Sequence, residues 1–213
     1  MNANAGEDYV RDGLIFQLDG TNKGNHTGEW QDLVSGMRFT RGTNVIEGNN
    51  YFQFDGGSTN DSLMLGSGSI STNVPTNKAA FTFEAVVESS GLGDINITFS
   101  GGQGSGISFV LRGASVWVFG QGYGYNAGNM ITSSGIKVIS YSTTRFILNR
   151  AIGSYAGNDY WGNGGQIASI GGELSATSRR FAGKVYAIRM YNRLLTENEM
   201  LHNQELDYKK FVL

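Results

Sequence analysis

Apolar and polar residues alternate at period two along most of this chain. In GLIFQLDG (13–20), Leu14, Phe16 and Leu18 fall on one face of an extended segment, and the following Asp-Gly supplies a turn. NNYFQFDGG (49–57) repeats the arrangement, with Phe52 and Phe54 opposed to Tyr51 and Gln53. In FTFEAVVES (81–89), Phe81, Phe83, Ala85 and Val87 alternate with Thr82, Glu84, Val86 and Glu88, the clearest amphipathic strand of the chain. SLMLGSGSI (62–70) predicts a short strand followed by a loose Gly/Ser connection. INITFSGG (95–102), GISFVLRG (106–113) and SVWVFGQG (115–122) predict an antiparallel meander broken at Gly pairs and Gly-Ala-Ser. IKVISYSTT and RFILNRAIG (136–153) predict one more hairpin, joined around Ser142-Thr143-Thr144.

Near the C-terminus the period changes. In GKVYAIRMYNR, Val185, Ala187 and Arg189 alternate with Tyr186, Ile188 and Met190, which predicts one mixed and one strongly apolar face. Thr196 followed by Glu199 is a capping-box pair, so a short helix is expected from Glu197, its acidic first turn suiting the helix dipole.

Strands at a spacing of roughly 8–12 residues with little helical periodicity point to a sandwich or barrel. Glycine supports this: 32 of 213 residues, about twice the usual ~7% share, in clusters without a triplet period. Many tight turns are implied and collagen is excluded. With one proline, no linker and no internal repeat, residues 1–213 are expected to form a single domain with a core of its own, not a propeller or solenoid. The absence of cysteine excludes disulfides, thiolate metal sites and thiol nucleophiles. A formal net charge of −2, from 16 basic and 18 acidic residues spread along the chain, gives no footprint for nucleic acid. Arg179-Arg180 is expected on the solvated surface. MNANAGEDYV has neither the basic nor the apolar region of a leader peptide. No segment reaches the ~20 apolar residues of a membrane span, so insertion into a membrane is not expected.

The C-terminal order resembles laminin-G-like domains of the concanavalin A-like lectin/glucanase superfamily. A Phe-x-Gly-x-Val strand leads to an Arg-x-Tyr-Asn-Arg-x-Leu-Thr exit and a helix ending in HNQELDYKKF. GLIFQLDG with Trp30 to Leu33, YFQFDGG and FTFEAVVE resemble that family's opening, Phe-Asp-Gly and central strands, in the family's order. The resemblance implies an all-β fold: a two-sheet antiparallel jelly-roll sandwich, with the short C-terminal helix covering one end. In the late strand, where the family often carries an acidic residue, this chain reads Val185-Tyr186-Ala187-Ile188.

Glucanases of the superfamily use two Glu on one strand with an Asp between them. Here Glu84 and Glu88 flank Val86, not Asp. Four residues of regular strand separate the two by about 13 Å of rise, against the ~5–5.5 Å of a retaining pair. A non-catalytic scaffold strand, with both carboxylates on its outer or concave side, is therefore expected. His26 and His202 lack a triad context and are expected at the surface. The glycine run GGQGSG (101–106) lacks the Gly-Lys-Ser/Thr of a phosphate loop. In LDGTNKGN (18–25) and GNDYWGN (157–163), a calcium ion, which superfamily members often hold, stands beside simple Asx-turns as the two readings. No other cofactor is expected.

Two Gly-rich segments read as rim loops and combine rings with amides. The first, GQGYGYNAGN (120–129), offers Tyr123, Tyr125 and Asn126; the second, GSYAGNDYWGNGG (153–165), offers Tyr155, Asn158, Asp159, Tyr160 and Trp161. Rings stack on the C–H faces of sugars, and amides and carboxylates bond their hydroxyls, so these residue types suit saccharide capture. The same rings could instead plug the ends of a sandwich core. Trp30 and Trp117 are assigned to packing. The expectation is a non-catalytic carbohydrate-binding or adhesion module with a glycan partner, placed outside the cell or on a cell or virion surface. A structural module that binds another protein at such a surface is the alternative, and an endoglucanase the third.

Overall fold

The computed structural model describes residues 8–57, 59–62, 64–71, 81–89, 94–99, 107–112, 115–120, 123–129, 135–142, 144–153, 166–172 and 180–213. Among them the strands are β1 (Leu14–Asp19), β2 (Glu29–Gln31), β3 (Arg38–Arg41), β4 (Ile46–Glu47), β5 (Phe52–Asp55), β6 (Met64–Ser71), β7 (Thr82–Ser89) and β8 (Asp94–Phe99). They continue with β9 (Ile107–Arg112), β10 (Ser115–Gly120), β11 (Tyr123–Asn129), β12 (Gly135–Ser142), β13 (Arg145–Leu148), β14 (Ala151–Gly153), β15 (Gln166–Ile170) and β16 (Ala182–Tyr191). One α-helix follows, α1 (Glu197–Asp207), and runs into a π-helical turn at Tyr208–Val212.

The fold is an all-β antiparallel sandwich. One layer is an eight-stranded sheet in the order β14-β13-β12-β7-β16-β5-β4, and β1 lies beside the second half of β16. The expected meander forms β10-β9-β8, with β11, expected as a loop, added at its edge, and β15-β6-β3-β2 makes a second four-stranded sheet. These two meet where β8 runs beside β15. Trp30, Phe39, Met64 and Ile170 from the β15-β6-β3-β2 side pack against Phe16, Leu18, Phe52, Phe83, Ile139 and Met190 of the large sheet in a single apolar core. Each such side chain taken fully from water contributes roughly 1.5–3 kcal/mol, so the interior dominates the stability of the sandwich.

Alternation fixes which face each strand buries. On β7, Phe81, Phe83, Ala85 and Val87 enter the core, as expected. On β16 the expected alternation breaks: a β-bulge between Val185 and Ala187 shifts the register. Val185, Ile188 and Met190 therefore share the core face, while Tyr186 and Ala187 sit together in a cluster on the other side. An inserted residue reverses the phase of everything beyond it, and nothing in period two marks its position.

Two further departures come from turns and ends. The segment expected as one long strand, RFILNRAIG, folds back at Asn149 and Arg150, whose φ values of 49° and 67° are those of a type I′ hairpin. Arg180, expected in solvent, is 5% exposed, and its Nη2 lies 3.4 Å from Asn60 Oδ1. Close packing also explains individual glycines: a Cβ at Gly20 would stand 1.9 Å from the Asn50 carbonyl oxygen. Any side chain there would force the first loop off the strand end that it caps.

Helix α1 starts at Glu197 as the capping box requires. Thr196 Oγ1 accepts from the Glu199 amide, and the Glu199 carboxylate accepts from the Thr196 amide. Thr82 ties the approach to the sheet, its hydroxyl donating to the Arg193 carbonyl at 3.0 Å and accepting from the Leu195 amide at 2.9 Å. The helix does not cover an end of the sandwich. It lies against the outer face of the large sheet, where Asn203 and Gln204 reach Glu84 and Ser140.

Candidate functional site

Tyr123, Tyr125 and Asn126 lie on β11, the edge strand of its sheet, and not in a loop. Their alternating sequence finds a partner in β10: Tyr123 stands opposite Gly120, Tyr125 opposite Val118 and Asn126 opposite Trp117, beside a register shift at Val116. Tyr155, Asn158, Asp159, Tyr160 and Trp161 lie outside the described residues, in the stretch that links β14 of the large sheet to β15 of the other layer. The chain also changes layers between β11 and β12.

The carboxylates of β7 have a different setting from the one expected. Glu84 is 1% exposed and is enclosed between the sheet and α1. Its Oε2 accepts from Arg189 Nε and from Asn203 Nδ2, both at 2.9 Å, and its Oε1 accepts from the Ser140 hydroxyl at 3.0 Å. The Arg189 guanidinium forms a two-pronged ion pair with Asp207 and lies 4.2 Å below the Tyr9 ring, whose hydroxyl donates to Asp207 at 2.9 Å. Burial pushes the carboxyls of Glu84 and Asp207 above the usual range, against the pull of Arg189, and Asp207 raises Glu84 further. Glu88 is half-buried. A hydrogen bond from Lys184, 2.8 Å away, and another from the Tyr186 hydroxyl hold it below the usual range. Both oxygens of Glu84 and one of Glu88 therefore serve the scaffold. Tyr186, in the strand where the superfamily often carries an acid, supplies one of the bonds to Glu88.

Sequence reasoning missed Arg189 and Asn203 as partners of Glu84, Asp207 as the second partner of Arg189, and Gln204 as a donor to Ser140. The signal was a charged residue, Arg189, inside an otherwise apolar strand, which demands a buried counter-charge.

Asp19 sits in the first candidate cation loop. Its Oδ1 accepts from the Thr21 amide at 2.9 Å and hydroxyl at 2.8 Å, an Asx-turn, while Oδ2 is ion-paired with Lys210. Among the described residues no group of three or more His, Cys, Asp or Glu comes together to hold a metal ion. The other loop, 157–163, lies outside them. His26 and His202 are exposed, the latter with Nε2 3.0 Å from the Asp8 carbonyl oxygen. Trp30 is fully buried, its Nε1 donating to the Asp19 carbonyl at 3.1 Å. Among the described residues no helix is long and apolar enough to cross a membrane.

No protein-family model matches the sequence, and no curated protein matches it significantly. Solved structures do share the fold. Trypanosoma rangeli sialidase in complex with sialic acid is similar over 97% of this chain at 14% identity and a TM-score of 0.60, and this chain spans 35% of the sialidase. Domain 4 of an extracellular arabinanase from Geobacillus stearothermophilus, in complex with arabinotriose, matches 88% of this chain over 96% of its own length, with 12% identity and a TM-score of 0.59. The binding domain of botulinum neurotoxin DC in complex with SialylT matches 94% of this chain over 52% of its own, with 12% identity and a TM-score of 0.63.

Proposed function

We propose that this chain is a non-catalytic carbohydrate-binding module of laminin-G-like type. The observation that carries the reading is the match to the arabinanase domain, in which 88% of this chain corresponds to 96% of a domain solved in complex with arabinotriose. Whole-domain correspondence supports transfer better than the sialidase match does, because only 35% of that enzyme is spanned. The carboxylates support the non-catalytic part. A retaining glycosidase needs two carboxyl groups about 5–5.5 Å apart across a substrate groove, whereas Glu84 lies beneath α1 and Glu88 bonds Lys184 and Tyr186. In this reading the sugar meets Tyr123, Tyr125 and Asn126 from β11 and Tyr155, Asn158, Asp159, Tyr160 and Trp161 from the second segment. Rings stack on C–H faces, and the amides and Asp159 bond hydroxyls.

A glycan array probed with the purified chain, with and without EDTA, tests the proposal. Retention of a defined glycan family, lost in Trp161→Ala at an unchanged melting temperature, is the expected result. EDTA sensitivity would add a calcium ion to the site. No retention on any glycan, with a single protein partner captured instead, would overturn it in favour of a protein-binding surface module.

A further inference from the structure

We propose that α1 is a proton-linked latch, docked on the sheet through a dry seam that holds one carboxylate more than its cations neutralise, so that docking takes up a proton and loosens as pH rises. The groups facing the seam come from every element around it. β7 contributes Glu84; β16 contributes Arg189 and Tyr191; α1 contributes Asn203, Gln204 and Asp207. The N-terminal segment adds Tyr9, β12 adds Ser140, β1 adds Gln17 and Asp19, and the closing turn adds Lys210. Glu84, Asp207 and Arg189 are each 1% exposed. Lys210 answers Asp19, so Arg189 is left to balance two carboxylates and one negative charge is in surplus.

A second shortage lies beside the first. Gln17, beside Arg189 in the β1–β16 register and 4% exposed, has a side-chain oxygen that accepts no hydrogen bond among the described residues. The seam thus has a surplus charge, which one more proton would neutralise, and a buried acceptor without a donor on the neighbouring strand. Burial raises the affinity of both carboxyls for that proton, with Asp207 adding to the effect on Glu84 and Asp19 to that on Asp207. The sign follows: a carboxyl whose pKa is raised in the docked state favours docking below that pKa and loses the contribution as pH climbs through it. Once α1 leaves, both groups meet water, and the surplus is no longer penalised.

The chain has no cysteine, so a single engineered thiol can report undocking. Met200, on α1, is buried against the sheet, and Met200→Cys is labelled with an alkylating reagent between about pH 5 and about pH 9, the rate being corrected for the thiolate fraction. The expected rate rises with pH by up to about tenfold per unit, the limit for one linked proton. Met64→Cys, in the sandwich core, should show no such rise. Glu84→Gln in the Met200→Cys background removes the surplus charge and should flatten the profile. If Met200→Cys does not fold, Leu201→Cys on the same helix carries the probe. A corrected rate independent of pH, or a slope that Glu84→Gln leaves intact, would overturn the latch.

Discussion

Met190 and Arg189 are consecutive on β16 and equally hidden, each 1% exposed, yet they belong to two interiors of opposite chemistry. Met190 joins the core between the layers, which among the described residues is built from Phe, Leu, Ile, Val, Met, Ala, Tyr and Trp side chains. Arg189 joins the seam beneath α1, where two small apolar clusters, around Phe211 and around Met200, flank a network of charges and amides. Apolar contact is non-directional and tolerates repacking, so the core specifies that the layers meet but not an exact register. A charge network counts only when every partner is in place, so the seam fixes where the helix sits while adding little net stability, because desolvating charges offsets most of their attraction. The sandwich would persist without its helix; the helix position depends on a handful of atoms.

Substitutions can break this contrast in order of size. Trp30→Ala should cost about 3–5 kcal/mol in chemical unfolding of the whole sandwich, the ordinary range for a large core ring, and it also removes one of the two donors to the Asp19 carbonyl, leaving the Asn22 amide. Arg189→Met should cost nearly as much, about 3–4 kcal/mol, because Glu84 and Asp207 remain buried without a cation. The triple change Glu84→Leu, Arg189→Met, Asp207→Leu should instead be as stable as the wild type or up to about 4 kcal/mol more stable, recovering all that Arg189→Met loses. A triple variant as damaged as the single one would mean that the seam supplies net stability after all. Thr196→Ala removes only the cap and should cost about 1 kcal/mol, read as fraying of α1 by hydrogen exchange with the sandwich amides unchanged.

The smallest effect concerns acid. Glu199 is held at about 2, first by its hydrogen bonds from Arg193 and then by the cap bonds to Thr196. Its contribution to folding is complete above the ordinary value of 4.5 and is lost as pH falls toward about 2. Glu199→Gln should therefore flatten part of the acid limb of the melting-temperature profile. The seam carboxylates have the reverse sign, so a profile that declines only on the acid side in wild type would set the two halves of the comparison against each other.

Much of the fold was legible because period two and a capping box are local signals. Phe83 and Val87 fell on the core face of β7, and Glu197 began the helix, where their neighbours alone placed them. The bulge at Val185/Ala187 was not legible, since an inserted residue leaves no trace in the alternation that it interrupts. Nor was the link of Glu84 to Asp207 through Arg189, which spans 123 positions of sequence and which only tertiary contact creates. For the candidate site, sequence marked residues with suitable chemistry in two segments, but the strand character of Tyr123, Tyr125 and Asn126 followed from pairing with β10 and was not visible in their glycine-rich spelling.

Mixing the chain with a set of sialylated and arabinan oligosaccharides, and measuring both the sugar retained and any sugar cleaved, tests the functional reading most directly. The account predicts saturable retention of at least one oligosaccharide, recovered intact after prolonged incubation and weakened in Trp161→Ala. Cleavage products that vanish in Glu84→Gln, or no retention of any sugar by the folded chain, would contradict it.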